Sequence, residues 1–233
     1  MDRQEKMQYL TVLPVFSNIK ESELDKFAAL FIVERHDKNE FVFEEGQKGL
    51  WVYFIGEGRV KLLAHSASGK DVILKIGSQH DLLTDNDLLF STRNEYRYSA
   101  QVLEETVMLK ISVEDFKSIL STHCQVAMNL LQVMDDYLKD TYEVLKEMAL
   151  EKVERRIALN LMKLARNTGV KNEEGIWLQI KLSRQDIANL SGTTIETAIR
   201  VMSKFKKDGL ISEEKGHITI TDRHELASIA EDY

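Results

Sequence analysis

Cysteine is almost absent: Cys124 is the only one in 233 residues. One thiol forms no internal disulfide, and it cannot hold an iron–sulfur cluster, which usually takes four cysteines per chain. A reducing cytoplasm is the expected home, and iron–sulfur chemistry is disfavoured. No uninterrupted apolar run approaches the roughly 20 residues that a membrane span needs, so no membrane partner is expected. The opening residues, MDRQEKMQYL, are polar and mixed in charge, unlike a secretory signal. No Ser/His/Asp or paired-carboxylate constellation stands out, and no Gly-rich phosphate loop, so an enzyme is not expected.

The chain is long enough for one large domain or two smaller ones, each with its own core. Hydrophobic residues at 43% and charged residues at 30% describe an ordinary globular protein. The net charge of −7 is unevenly divided: residues 1–150 carry −8 and residues 151–233 carry +1. Within 184–207, five basic residues (Arg184, Arg200, Lys204, Lys206, Lys207) face only two acidic ones (Asp186, Glu196). A local excess of this kind suits a surface that meets phosphate.

Ser22-Glu-Leu-Asp25 has the form of a capping box, and Leu24, Phe27, Ala28 and Phe31 follow at helical spacing. From Phe41 the period changes. Phe41–Phe43, Trp51–Ile55, Val60–Leu63, Val72–Ile76, Ala100–Val102 and Val107–Ile111 are short runs rich in β-branched and aromatic residues. Gly46, Gly56-Glu57-Gly58 and Ser66-Ala-Ser-Gly69 separate several of them, which predicts a compact β-sandwich or roll.

A second capping box, Ser112-Val-Glu-Asp115, opens a helical stretch through Leu120. A longer helix then runs from about Gln125 to Met148 without Gly or Pro. Leu131, Met134, Leu138, Thr141, Leu145 and Met148 are spaced 3, 4, 3, 4, 3, the a/d pattern of a helix that pairs with a partner helix. A second stripe of Leu130, Val133, Tyr137 and Val144 lies beside it. Two stripes suggest one face for the helix's own domain and one for a second copy of the chain. A further helix, Val153–Arg166, ends at Asn167-Thr-Gly169.

Ser183-Arg-Gln-Asp186 is a third capping box. Ile187, Ala188 and Leu190 follow, then a turn at Ser191-Gly192-Thr193 and a new helix start at Thr194. A helix, a short turn with Gly and a second helix is the arrangement that sets the second helix in the DNA major groove. Ala198, Val201 and Phe205 point to a core, while Glu196, Ile199, Arg200 and Ser203 share the opposite face. Arg pairs with guanine, Glu accepts from cytosine and an apolar side chain meets a thymine methyl, so Glu196, Ile199 and Arg200 are the expected base readers. Ser183, Arg184, Thr193, Thr194 and Thr197 stand at helix starts that suit phosphate, with Lys204, Lys206 and Lys207 near the helix end. Leu210–Ser212 and His217–Thr221 read as a wing hairpin around Glu213-Glu-Lys-Gly216, and Ile176–Leu182 as a strand before the motif.

These segments resemble the Crp/Fnr family of transcription regulators. The resemblance rests on Ser183-Arg-Gln-Asp-Ile-Ala188, Gly192, Thr194-Ile-Glu-Thr-Ala-Ile-Arg200 and Gly209-Leu-Ile211. In the first half it rests on Phe41-Val-Phe-Glu-Glu-Gly46, Val52-Tyr-Phe-Ile-Gly-Glu-Gly-Arg-Val60 and Gly69-Lys-Asp-Val-Ile-Leu74. It implies an α+β chain: a sensor β-roll over 1–124, a dimerisation helix over 125–148 and a winged helix-turn-helix over 149–233. It also implies a homodimer on double-stranded DNA, RNA polymerase as a partner, and activation rather than repression. The competing reading is a cyclic-nucleotide-type sensor whose helical tail binds another protein.

In cyclic-AMP-binding members a Gly-Glu pair and a later Arg-Ser/Thr pair hold the ribose and phosphate. Here Thr84 and Asp85 stand where Gly and Glu would be, and Tyr96-Arg97 where Arg-Ser would be. A side chain in place of Gly crowds the backbone approach to phosphate, and Asp85 and Asp87 repel it, so cyclic AMP is disfavoured even if Arg97 replaces the lost cation. Thr141 matches a threonine that contacts adenine in such members, but it also lies in the seam. Some members bind haem. His36, His65, His80, His123, Cys124 and eight Met supply ligand types without a diagnostic spacing, so haem stays open while a surface role is the plainer reading of each His. Cys124 is expected to be a buried, inert thiol rather than a redox handle.

Overall fold

The computed structural model describes residues 3–66, 71–84, 86–90 and 94–231. Helices α1 (Arg3–Leu10) and α2 (Glu21–Ala28), with a short 3-10 turn at Pro14–Phe16 between them, precede eight strands. These are β1 (Ile32–His36), β2 (Phe41–Phe43), β3 (Trp51–Glu57), β4 (Val60–His65), β5 (Asp71–Gly77), β6 (Leu82–Leu83), β7 (Ser99–Val102) and β8 (Thr106–Ser112). They form two four-stranded sheets in the orders β1-β8-β3-β6 and β2-β7-β4-β5, with helix α3 (Asn86–Phe90) between β6 and β7.

Strand β3 explains why its sequence reads as a continuous apolar run: both of its faces are buried. Val52 and Phe54 pair with Ile111 and Leu109 of β8 and join Phe16, Phe27, Phe31 and Phe116 in one core. The alternate residues Tyr53 and Ile55 turn into a second core with Phe43, Val60, Leu62, Tyr96, Val102 and Met108. At Gly56 the β3–β8 register shifts. An added Cβ there would stand 2.8 Å from Leu109 and 3.0 Å from Tyr9, so glycine lets α1 lie close over the sheet. Tyr9 donates to Glu57 Oε1 at 2.6 Å, and that bond to a carboxylate raises its pKa to about 12.

Helix α2 begins at Glu21, capped by the backbone of Lys20 with no side-chain bond. The capping box expected at Ser22 does not form, because Asp25 pairs with Arg3 of α1 instead. The box at Ser112 does start helix α4 (Val113–Thr122): Ser112 Oγ accepts from the Asp115 N–H at 3.0 Å.

Helix α5 (Cys124–Leu150) runs 27 residues. Its first turns are fixed to the β-roll by buried Val126 and Leu130. Asn129 Nδ2 also donates to the carbonyls of Val15 and Ser17 at 3.1 and 2.7 Å, and Lys75 Nζ lies 5.5 Å from the Tyr137 ring centre. Beyond that the apolar stripe is bare: Leu131, Leu138 and Leu145 are 58%, 47% and 63% exposed. Met134 packs partly on the first core. Cys124 is exposed, contrary to the buried thiol expected, because at the helix start it points away from the face that Val126 and Leu130 bury. The chain divides into two compact units: along α5 the division falls after Thr141, and Asp71–Ile73 at the start of β5 groups with the second unit.

The second unit contains α6 (Val153–Thr168), β9 (Gly169–Asn172), β10 (Gly175–Leu178), α7 (Arg184–Leu190), α8 (Ile195–Lys207), β11 (Ile211–Glu214), β12 (His217–Ile220) and α9 (Arg223–Glu231). Its sheet has the order β11-β12-β10-β9. Strand β10 stops at Leu178, short of the Leu182 expected. Its partner β9 starts directly on Gly169, whose φ of −83° is extended rather than left-handed. The wing strands reach closer together than expected, joined only by Lys215 and Gly216 at φ of 50° and 84°. Two positive φ values are what a tight two-residue hairpin turn requires.

Candidate DNA-binding interface

Helix α7 starts on a complete capping box. Ser183 Oγ accepts from the Asp186 N–H, and the Asp186 carboxylate accepts from the Ser183 N–H, both at 3.0 Å. Helix α8 starts at Thr194, whose Oγ1 accepts from the Thr197 N–H at 3.3 Å. Gly192 in the turn between them has φ +57°, and an added Cβ would meet the Met148 side chain at 2.8 Å.

The turn is also held from outside by two residues that sequence reasoning missed. Arg156 of α6 donates through Nε to the Ser191 carbonyl at 3.0 Å and through Nη1 to the Glu151 carbonyl at 2.7 Å. One helical turn on, Asn160 Nδ2 donates to Ser191 Oγ at 3.0 Å. Their spacing marks only one polar side of α6, and nothing local says that it meets the turn.

Helix α8 separates its faces cleanly. Ala198, Val201, Met202 and Phe205 are buried, while Glu196, Ile199, Arg200 and Ser203 are exposed. Ile199 is 45% exposed, an isoleucine left in water between two charged neighbours of the same face. The Glu196 carboxyl is held below its usual pKa by a hydrogen bond from its own backbone N–H and then by the Thr194 hydroxyl. It therefore enters any contact as a carboxylate, an acceptor only.

The basic residues are not equivalent. Arg184 Nη2 lies 2.6 Å from Glu213 Oε2 on the wing strand, and Lys204 Nζ lies 2.7 Å from Glu154 Oε1 on α6. The Glu154 hydrogen bond raises the Lys204 pKa. Lys206, Lys207 and Arg200 are exposed, and among the described residues no carboxylate lies within ion-pair distance of them. The exposed hydroxyl positions Ser183 and Thr194 serve as helix caps, and Thr197 lies 3.2 Å from the Thr194 hydroxyl. Thr193 lies in the turn, its N–H donating to the Ala188 carbonyl at 3.0 Å.

The expected effector residues do not converge in the same way. Thr84 is buried and its carbonyl accepts from the Tyr98 hydroxyl at 2.5 Å. Arg97 is exposed in an open depression lined also by Glu45, Gly46, Asn94, Glu95 and Tyr96, and Thr84 is not among those residues. Asp85 lies outside the described residues. Thr141 donates to the Tyr137 carbonyl of its own helix at 2.8 Å. Tyr96, which the resemblance sets where relatives carry a phosphate-binding cation, is buried. It stacks on Phe43 with ring centres 4.0 Å apart, and its hydroxyl donates to the Trp51 carbonyl at 3.0 Å.

The histidines mostly serve local structure. His36 stands between Glu34 and Glu40 at 3.8 and 3.6 Å with its side chain largely buried, not at the surface as expected. His65 Nε2 lies 3.2 Å from Ser99 Oγ, and His123 meets Phe27 edge-on. Among the described residues no group of three or more His, Cys, Asp or Glu side chains is placed to hold a metal ion. None of their helices is long and apolar enough to cross a membrane.

Two family models match the chain: a cyclic nucleotide-binding domain over residues 33–123 and a Crp-like helix-turn-helix domain over residues 155–229. An anaerobic regulatory protein of Bacillus subtilis is 26% identical over 94% of this chain and 93% of its own. A cyclic AMP receptor protein of Thermus thermophilus is 24% identical over 93% and 96%. The c-di-GMP responsive global regulator CLP of Xanthomonas campestris shares the fold with a TM-score of 0.75 at 20% identity, over 87% of this chain and all of that one. With both domains matched in the family's order, the chain belongs to the Crp/Fnr family. It is a DNA-binding transcription regulator.

Proposed function

We propose that this regulator binds an inverted-repeat operator as a homodimer, with helix α8 in the major groove. Glu196, Ile199 and Arg200 read bases there, and Ser183, Thr193, Thr194, Thr197, Lys206 and Lys207 contact phosphate. The observation that carries this reading is the outward face of α8, where a carboxylate, an apolar side chain and a guanidinium stand exposed on a helix anchored by Phe205. Arg200 supplies two donors for guanine O6 and N7, Glu196 accepts from cytosine N4 and Ile199 meets a thymine methyl. The bare stripe of Leu131, Leu138 and Leu145 pairs the two copies, and a signal received in the β-roll shifts the paired helices. RNA polymerase is the partner in activation, in the cytoplasm. The reading as a protein-binding sensor tail has less support, because the α8 face suits base edges better than a protein groove.

Binding sites selected from random duplexes test this. Inverted half-sites should emerge about 10 base pairs apart, as two-fold symmetry demands. Arg200→Ala should cost about 1–3 kcal/mol on the selected site and relax preference at one position. Lys206→Ala should weaken binding to every sequence and flatten the salt dependence. If no inverted repeat emerged, or if the two variants behaved alike, the base-reading roles would be wrong.

A further inference from the structure

We infer that Glu213 and Glu154 set the regulator's sequence specificity by neutralising Arg184 and Lys204, two of the five cations of the helix-turn-helix, before DNA arrives. The inference rests on the proposal that α8 faces DNA. Both pairs are made between elements far apart in sequence, strand β11 to α7 and helix α6 to α8, so they belong to the folded scaffold rather than to helix chemistry. The two pairs differ in character. The Arg184–Glu213 pair is partly buried, with side chains 30% and 19% exposed. Among the described residues the buried Glu213 Oε1 has no hydrogen-bond partner, so Arg184 is the counter-charge that the pairing supplies. Swinging Arg184 to a phosphate would leave that carboxylate unpaired in a dry site, which is strongly unfavourable. The Lys204–Glu154 pair is exposed and weaker, yet it places a negative charge beside the recognition helix on the side where Lys204 would otherwise reach phosphate.

Phosphate contacts carry no sequence information, whereas base contacts do. A cation already paired releases little counter-ion from DNA and adds little to non-specific affinity. With Arg184 and Lys204 neutralised, the backbone attraction falls to Lys206, Lys207 and Arg200, and the margin between operator and random DNA depends more on Glu196, Ile199 and Arg200. Glu213 and Glu154 are thus positioning residues that act through their cationic partners.

The test uses the full chain and a fluorescent random-sequence duplex titrated from 50 to 200 mM salt. Glu154→Gln and Glu213→Gln keep the side-chain shape and remove the charge. Each should steepen the logarithmic salt slope by about 0.9, the value for one added phosphate contact, so that each variant loses about 3.5-fold more affinity than wild type across that range. The double variant should show both increments. On the selected operator, the preference over random duplex should narrow in each variant. Adding Arg184→Gln to Glu213→Gln should return the slope to the wild-type value, which a general loosening of the wing would not do. Thermal melting checks Glu213→Gln for folding, and the exposed Glu154→Gln keeps the test decisive if that variant is unstable. Unchanged slopes in folded Glu154→Gln and Glu213→Gln, with Lys206→Ala still flattening the slope, would overturn the inference and leave the DNA face standing. If Lys206→Ala also left the slope unchanged, the assignment of the face would fall with it. Loss of operator affinity in Glu213→Gln at constant slope would overturn it in the other direction, making Glu213 a residue that aims Arg184 at DNA.

Discussion

Leu138→Glu should convert the dimer to monomers. Leu138 is 47% exposed, and its seam neighbours Leu131 and Leu145 are 58% and 63% exposed, so roughly half of each side chain remains to be covered by a partner helix. Full burial of a leucine stabilises by about 1.5–3 kcal/mol, so covering the remaining half contributes about 1 kcal/mol in each copy, or about 2 kcal/mol for the pair. The substitution removes that and places two carboxylates against each other across the seam. Each ion taken from water into such a contact costs several kcal/mol in addition. A total on the order of 6 kcal/mol weakens dimerisation by about four orders of magnitude, at about 1.4 kcal/mol per tenfold. Sedimentation equilibrium of wild type, Leu138→Glu and the volume-conserving Leu138→Met reads this directly, with circular dichroism to confirm that α5 still folds. The charged variant should sediment as a monomer and lose operator binding, and the methionine variant should remain dimeric. A Leu138→Glu dimer as stable as wild type would refute the seam, whatever the DNA experiments gave.

Calorimetry should find no micromolar cyclic AMP binding, since a buried tyrosine at position 96 stands where a cation would meet the phosphate; a micromolar constant would refute this. Ser183→Ala removes the acceptor for the Asp186 N–H and should cost about 1 kcal/mol in urea unfolding, with a loss below about 0.3 kcal/mol counting against the cap. Gly192→Ala should destabilise the second unit by about 1–3 kcal/mol, because its left-handed φ opposes a Cβ while the Met148 side-chain end can swing aside; a variant that melts with wild type would show the turn to be unstrained.

The parts legible in the sequence are those with a local cause. The capping box at Ser183, the helix start at Thr194 and the burial of Ala198, Val201 and Phe205 all follow from spacing within one helix or turn. The central strands were visible because β3 is a nearly continuous apolar run and β8 is broken in its middle only by Lys110. Strand β1 was not: Ile32 and Val33 are followed by Glu34, Arg35 and His36, charged residues that an edge strand tolerates and an alternation pattern does not reveal. Strand β9 was hidden behind a helix end, and β6 is only two residues long. Ser22 misled because a capping box is a competition, and Arg3 won Asp25 from 22 residues away. At the proposed DNA face, every exposed residue of α8 was readable from its period. The charge state of that face was not, because the partners of Arg184 and Lys204 lie 29 and 50 residues away in sequence. Arg156 and Asn160 escaped for the same reason.

Tyr96 fills a space in the second core that no incoming molecule can share with it. Its ring lies flat on Phe43, and its hydroxyl is engaged by both the carbonyl and the N–H of Trp51. A molecule from solution that occupied the same space would have to evict it. Emptying a buried aromatic site costs about 3–5 kcal/mol, so only a small fraction of molecules would stand open at any moment. Apparent affinity falls by that fraction, about two to three and a half orders of magnitude at about 1.4 kcal/mol per tenfold. A compound with nanomolar intrinsic affinity would then be measured as submicromolar to micromolar, and a micromolar one would escape detection at ordinary cellular concentrations. A molecule that binds in that space would show its intrinsic affinity only in a Tyr96→Ala background, where the ring no longer competes for it.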